Sequence, residues 1–132
     1  MTRVNSVVSV ALLIGVMFSA AVSAHHSVQA QFDVRGKITV VGTVAKLEFI
    51  NPHSYLTVNV KDADGKITKW AFEMGGTTAL REAGLSRADR GGLKAGDAIT
   101  AVGLPARSGG NSAFLTELNL ADGRNFKFLA TN

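Results

Sequence analysis

From Lys37 onward the apolar residues of this chain recur at every second position, and that period decides the fold class. Tyr55-Leu56-Thr57-Val58-Asn59-Val60 puts Leu56, Val58 and Val60 on one face, and Ile67 to Met74 puts Trp70, Phe72 and Met74 on another. Side chains alternate between the two faces of a strand, whereas a helix repeats every 3.6 residues, so these segments are strands with one buried face. A longer run precedes them, with Ile38, Val40 and Val44 continuing to Leu47 and Phe49. Gly42 interrupts it and predicts a bulge or bend there, of the kind small barrels use at corners. Asn51-Pro52 stops the run, because proline removes a ladder donor and biases the residue before it to extended geometry.

The rest of the chain keeps this character with one interruption. Asp62-Ala63-Asp64-Gly65 is a hairpin turn between strands two and three. Thr77 or Thr78 starts a short helix that contains Leu80, Glu82 and Ala83 and closes at Gly84. A polar, glycine-bearing stretch, Ser86 to Gly92, leads to the tight turn Lys94-Ala95-Gly96-Asp97. Strand four then spans Ala98 to Leu104 and strand five Ala113 to Leu120, followed by the turn Ala121-Asp122-Gly123-Arg124 and a last strand from Asn125 to Leu129. Three strands, a short helix and two or three further strands is the order of an OB-type barrel. The predicted fold is therefore all-β with one short helix, a small OB-like antiparallel β-barrel of five to six strands. A β-sandwich is the alternative that periodicity leaves open.

The first 24 residues read differently. Arg3 gives a positive start, Val7 to Phe18 is almost wholly apolar, and Ser19 to Ala24 are small residues ending in Val22-Ser23-Ala24. Charge, apolar core and small-residue site in that order predict a secretory signal peptide cleaved after Ala24, with a competing cut after Ala21. The apolar run is shorter than the roughly 20 residues a membrane span needs, so no span is expected after cleavage. The expected organisation is a signal at 1–24, an N-terminal segment at 25–36 and the barrel at 37–132, with a periplasmic location. The chain has 132 residues, no cysteine and a formal charge of +4. The missing cysteine excludes disulfides, thiolate metal sites and a cysteine nucleophile, so stability has to come from the core. The mild positive charge concerns solubility more than partner choice.

The chemistry-bearing residues are the three histidines, His25, His26 and His53. Cleavage after Ala24 gives His25 a free α-amine, with an unperturbed pKa of about 7.7–8.0, beside its own imidazole. Amine nitrogen and Nδ1 of one residue close a chelate ring, and one further imidazole completes three nitrogens in the tetragonal arrangement that suits Cu(II). His53, in the Asn51-Pro52-His53 turn, is the first candidate for that third nitrogen and His26 the second. Asp33 is a candidate oxygen ligand or imidazole partner. The plain alternatives are a solvated terminus for His25 and His26, a turn-capping role for His53, and a strand-start cap for Asp33.

Other chemistry finds less support. Ser54 adjoins His53, but neighbouring strand residues point to opposite faces and make poor triad partners. Glu48, Glu73 and Glu117 lie on predicted strands, where outward-facing acids are the plain reading of what a glycoside hydrolase would need as a pair. A nucleic-acid groove needs exposed aromatics over basic residues. Trp70 instead shares a face with Phe72 and Met74, and export separates the chain from most nucleic acid.

Several short motifs occur together: His25-His26-Ser27, Phe32-Asp33, Gly42-Thr43-Val44, Asn51-Pro52-His53, Asp64-Gly65, Trp70, Leu93-Lys94-Ala95-Gly96-Asp97, Gly103, Ala106-Arg107 and Asp122-Gly123-Arg124. With them the chain resembles a family of small exported bacterial proteins known only as a domain of unknown function, from His25 to about Phe128. Many members have Gly-Trp where this chain has Gly84-Leu85. The resemblance implies periplasmic export and an OB-like fold, and brings no established activity. The expected function is a periplasmic metal-binding protein, Cu(II) being the metal, held by His25 and His53 with His26 or Asp33 nearby. The alternative is a metal-free binding module for a small molecule, envelope component or protein partner, and a hydrolase comes last.

Overall fold

The computed structural model of the chain describes residues 27–129. In order these form α1 (Val28–Gln31), β1 (Ile38–Glu48), β2 (His53–Lys61), β3 (Ile67–Gly75), α2 (Thr77–Glu82), a 3₁₀ turn (Ala88–Arg90), β4 (Ala98–Pro105), β5 (Ser112–Leu120) and β6 (Asn125–Lys127). The strands neighbour one another as β3-β2-β1-β4-β5-β6, and a further pairing of β3 with β5 closes five of them into a barrel. This is the OB-like barrel that the sequence predicts, with β6 as an added strand. Its closing pair is parallel, Ala71–Glu73 against Ser112–Phe114; the other pairings are antiparallel.

Two bulges let so few strands bend into a closed ring. Ala45 is the extra residue of β1 against β2, between the pairs Val44–Val58 and Lys46–Thr57. The bulge explains why the apolar phase changes along β1, from Val40 and Val44 to Leu47, since one added residue moves the inward set by one place. The sequence placed this break at Gly42, and the structure places it three residues later. Gly42 itself pairs in register with Ile99. It is needed there because a Cβ would run into the Asn59 carbonyl of the adjacent strand. The second bulge is Thr116 of β5, where inward Ala113 and Leu115 give way to Leu118 and Leu120. The Thr116 hydroxyl donates to the Val102 carbonyl at 3.1 Å, so the bulge keeps a bond across the gap.

The barrel interior is filled from all sides. Leu56, Val58, Phe72, Met74, Ala101, Ala113, Leu115 and Leu118 are wholly inaccessible. Burying one such large side chain contributes roughly 1.5–3 kcal/mol. Helix α2 supplies Leu80 and the residue beyond it Leu85, both buried in the same core. Their meeting follows from how the helix ends. Gly84 has φ +84°, its N–H donates to the Arg81 carbonyl, and the Leu85 N–H reaches back to the Leu80 carbonyl. That is a Schellman ending, which brings the residue after the glycine onto the helix's last apolar turn. Leu85 is thus a packing position. The Lys94–Asp97 turn is latched to β1 by two bonds, Gly96 N–H to Val44 carbonyl and Val44 N–H to Asp97 carbonyl.

Trp70 lies half-buried against this core and stacks on Phe72 with ring centroids 6.2 Å apart, in keeping with the face the alternation assigned it. Among the described residues no helix is long and apolar enough to cross a membrane. Phe72→Ala is expected to lower unfolding free energy by about 3–5 kcal/mol in denaturant titration, because the site is ringed by other fully buried side chains. Val41→Ala, on a residue 67% exposed, is expected to stay within about 0.5 kcal/mol.

Candidate functional site

The corner before β2 is held from two directions. The Ser54 hydroxyl is buried, donates to the Ile50 carbonyl at 2.9 Å and accepts the Ile50 N–H at 3.2 Å. It is a structural hydroxyl closing the turn, on the face opposite to its neighbours. The Asn51 side-chain oxygen accepts the Thr77 N–H at 2.8 Å and the Thr77 hydroxyl at 3.2 Å. It satisfies a first-turn donor of α2 that has no helical partner. The corner is thereby fastened to the start of α2, and His53 is the first residue of β2 rather than part of the turn.

Strand alternation then decides what His53 meets. Ser54, Leu56 and Val58 point inward, so His53 and Tyr55 face outward. On β3, Phe72 and Met74 point inward and Glu73 outward. The register pairs Glu48 with Tyr55, Tyr55 with Glu73, Glu73 with Phe114 and Phe114 with Leu104. These residues make one row across the outer face of the barrel. His53 pairs with Gly75 and so lies diagonally from Glu73, within reach of a long side chain. Its Nδ1 is 2.5 Å from Glu73 Oε1. The Glu73 side chain is only 14% exposed and that of His53 38%. The acid is shielded while the far edge of the imidazole reaches solvent. A carboxylate on Nδ1 fixes the ring's orientation and leaves Nε2 as the nitrogen for a ligand.

Tyr55, beside this pair, has its phenol pushed above the ordinary value, first by burial and then by the charges of Glu73 and Glu48. The other two strand carboxylates have separate partners. Glu48 takes Lys46 Nζ at 2.8 Å. Glu117 accepts from Asn119 and Asn125, both at 3.1 Å, and the Asn119 bond leads in holding it below the usual carboxylate range.

The N-terminal segment lands on the same flank. Phe32 is 4% exposed and meets the Phe114 ring edge-on at 5.7 Å. Ala30, Gln31 and Phe32 share with Glu73, Arg107 and Ser112 the lining of a cavity of about 370 Å³. His25 and His26 lie outside the described residues. Asp33 caps the turn that leads from α1 to β1: its carboxylate accepts the Arg35 N–H at 3.1 Å and its carbonyl the Gly36 N–H at 3.0 Å. Among the described residues no three His, Asp or Glu side chains form a metal-ligating group, so His53 and Glu73 stand as a pair.

The sequence reading treated Glu73 as an outward-facing acid and missed its partner. The signal was present in the hairpin. A turn at Asp62–Gly65 that pairs Lys61 with Ile67 also pairs Tyr55 with Glu73, and places His53 two residues away on the same face.

The model of a family of unknown function, DUF6152, matches residues 13–115. The chain belongs to this family. Comparison with curated proteins and with solved structures finds no match. The DUF6152 match spans α1, the His53 corner and Glu73, so the outer-face pair lies inside the family's segment.

The chain's single tyrosine makes its titration easy to read. Absorbance at the phenolate band is expected to show Tyr55 ionising above its ordinary value of 10.0, and Glu73→Gln to move the midpoint down. A phenol raised in the folded state favours folding while neutral. Its contribution is fully present below the unfolded pKa and is lost as pH rises through the folded one.

Proposed function

We propose that this protein is a periplasmic metal-binding protein that takes Cu(II) at its mature N-terminus. The mature chain begins at His25 after removal of a signal peptide, and the ligands are the His25 amine, the His25 imidazole and His53 Nε2. His26 and Asp33 are the remaining donors in the N-terminal segment. The observation that carries this reading is the shared flank: α1 packs beside Glu73, and Glu73 holds Nδ1 of His53. Only Ser27 and His26 separate α1 from His25 in the chain, and the steps from Val28 to His25 span at most about 10–11 Å of extended chain. Nitrogen-only ligation in a chain without cysteine suits Cu(II). Glu73 supplies the carboxylate that orients a ligating imidazole.

A metal-free binding module is the second reading. It is favoured by an open groove of about 710 Å³ between β1 and the 3₁₀ turn, lined by Leu47, Phe49, Ile50, Arg87 and Leu93.

Cu(II) titration of the secreted protein, with electron paramagnetic resonance and intact mass on the same sample, separates the readings. The metal reading expects a mass beginning at His25, one tight equivalent, and nitrogen hyperfine lines that change in His53→Ala. Glu73→Gln is expected to weaken binding by about 10–100-fold. A mass beginning at Val22, or affinity no better than that of a free His-His peptide, overturns it.

A further inference from the structure

Strand β1 outruns one of its neighbours. It pairs with β4 from Ile38 to Thr43 and with β2 from Thr43 to Glu48, so past the Lys94–Asp97 turn its second half has a partner strand on one side only. The groove of about 710 Å³ between β1 and the 3₁₀ turn lies along that open side.

The ladder decides which backbone groups face the groove. In antiparallel strands a residue points its N–H and C=O to one side, and the next residue points to the other. The Ala71 N–H donates to the Asn111 carbonyl at 3.0 Å, on the β5 side, so its β2 partner Thr57 turns toward Lys46 of β1. Leu47, opposite Leu56, therefore points away from β2. Val44, opposite Val58, does the same, and both of its groups are taken. Its carbonyl accepts the Gly96 N–H at 2.8 Å and its N–H donates to the Asp97 carbonyl at 2.9 Å. Leu47 is the next such position along this edge, and among the described residues its N–H and C=O have no partner there. The far wall of the groove is bonded to itself and to the barrel behind it. The Arg90 and Gly92 N–H groups donate to the Arg87 carbonyl at 2.9 and 3.0 Å, and Arg124 Nη1 donates to the Gly91 carbonyl at 2.9 Å.

Apolar surface lies beside the open edge. Leu47 and Phe49 are half-buried, and Ile50 is 47% exposed. Positive charge surrounds it. The Arg81 guanidinium stands 5.6 Å from the centre of the Phe49 ring. Lys46 pairs with Glu48 and Arg87 with Asp89, while Arg81, Arg90 and Lys94 have no ion-pair partner among the described residues.

We propose that this groove takes an extended acidic peptide, added as a strand beside the second half of β1. Its main chain bonds to Leu47, alternate side chains lie on Leu47, Phe49 and Leu93, and its carboxylates meet the basic surround. An extended peptide brings donor and acceptor together at strand spacing, whereas a lipid or an apolar small molecule leaves the Leu47 groups unpaired. In a second copy of the chain the same edge lies behind the same wall, which keeps two such edges apart. The proposal gives the groove of the metal-free reading its occupant, rests on that reading, and asks nothing of His53.

The test uses the secreted protein and, as probe, an acetylated and amidated octapeptide of alternating valine and glutamate. In the free protein the Leu47 amide is expected to exchange at least about tenfold faster than that of Glu48, which faces β2. Peptide is expected to slow Leu47 exchange at least about tenfold and to leave Phe72 unchanged. Equal exchange at Leu47 and Glu48 in the free protein, or no slowing with peptide, overturns the proposal. Alternate residues of a strand present their main chain to one edge, so of two N-methylated peptides, one blocked on its valines and one on its glutamates, a single one is expected to lose binding. Equal behaviour of the two overturns main-chain addition. Arg81→Glu is expected to weaken binding about two- to fivefold, and a valine–lysine octapeptide to bind more weakly than the valine–glutamate one. Unchanged affinity in both overturns the acidic preference. Leu47 exchange that slows with protein concentration alone assigns the edge to a second copy and overturns the peptide. If the apolar dye anilinonaphthalene sulfonate shifts the Leu47 and Phe49 signals while the peptide does not slow Leu47, strand addition fails and the metal-free reading keeps its groove. If neither binds, both fail.

Discussion

The parallel seam of Ala71–Glu73 with Ser112–Phe114 is the constraint on which both faces of this protein depend. It turns a curved sheet into a closed barrel, and closure removes two edges that would otherwise expose unpaired backbone. Inside, it seats Phe72 opposite Ala113, a large side chain against a small one, in a core with little room. Outside, it sets Glu73 beside Phe114, so that a carboxylate and an aromatic landing site for the N-terminal segment are neighbours. The cavity beside α1 is lined from both strands of that seam, by Glu73 and by Ser112.

Alternation and bulges translate that seam into a site. Each outward residue on β2 and β3 faces out because its neighbours are needed within: His53 beside Ser54, Glu73 between Phe72 and Met74. A slip of one residue would turn both polar side chains inward, so the need to keep the apolar face in the core holds the His53–Glu73 register. The bulges at Ala45 and Thr116 lie away from this pair, where they bend the long strands.

Much of this was legible in the chain. The period of two marked each barrel strand, the turn residues marked the hairpins, and Gly84 marked the end of α2. Gly42 misled because a glycine in a strand signals either a bulge or a close approach of backbone, and the two have the same signature in one sequence. Here it is the close approach to Asn59. His53 was legible as chemically informative. Glu73 was missed because its meaning lies in a diagonal across two strands.

Local spacing by itself determined that this chain makes strands, where they turn, and which side chains each strand buries, because those follow from backbone geometry and the cost of leaving apolar surface in water. It determined too that nitrogen and oxygen donors, without sulfur from cysteine, are the chain's polar ligands. Only the tertiary structure decided that the barrel closes through β3 and β5, that Glu73 holds His53, and that α1 lies on their flank. Those are contacts between residues far apart in the chain. Their choice among alternatives is made by the whole core at once, through the volume it must fill and the edges it must pair.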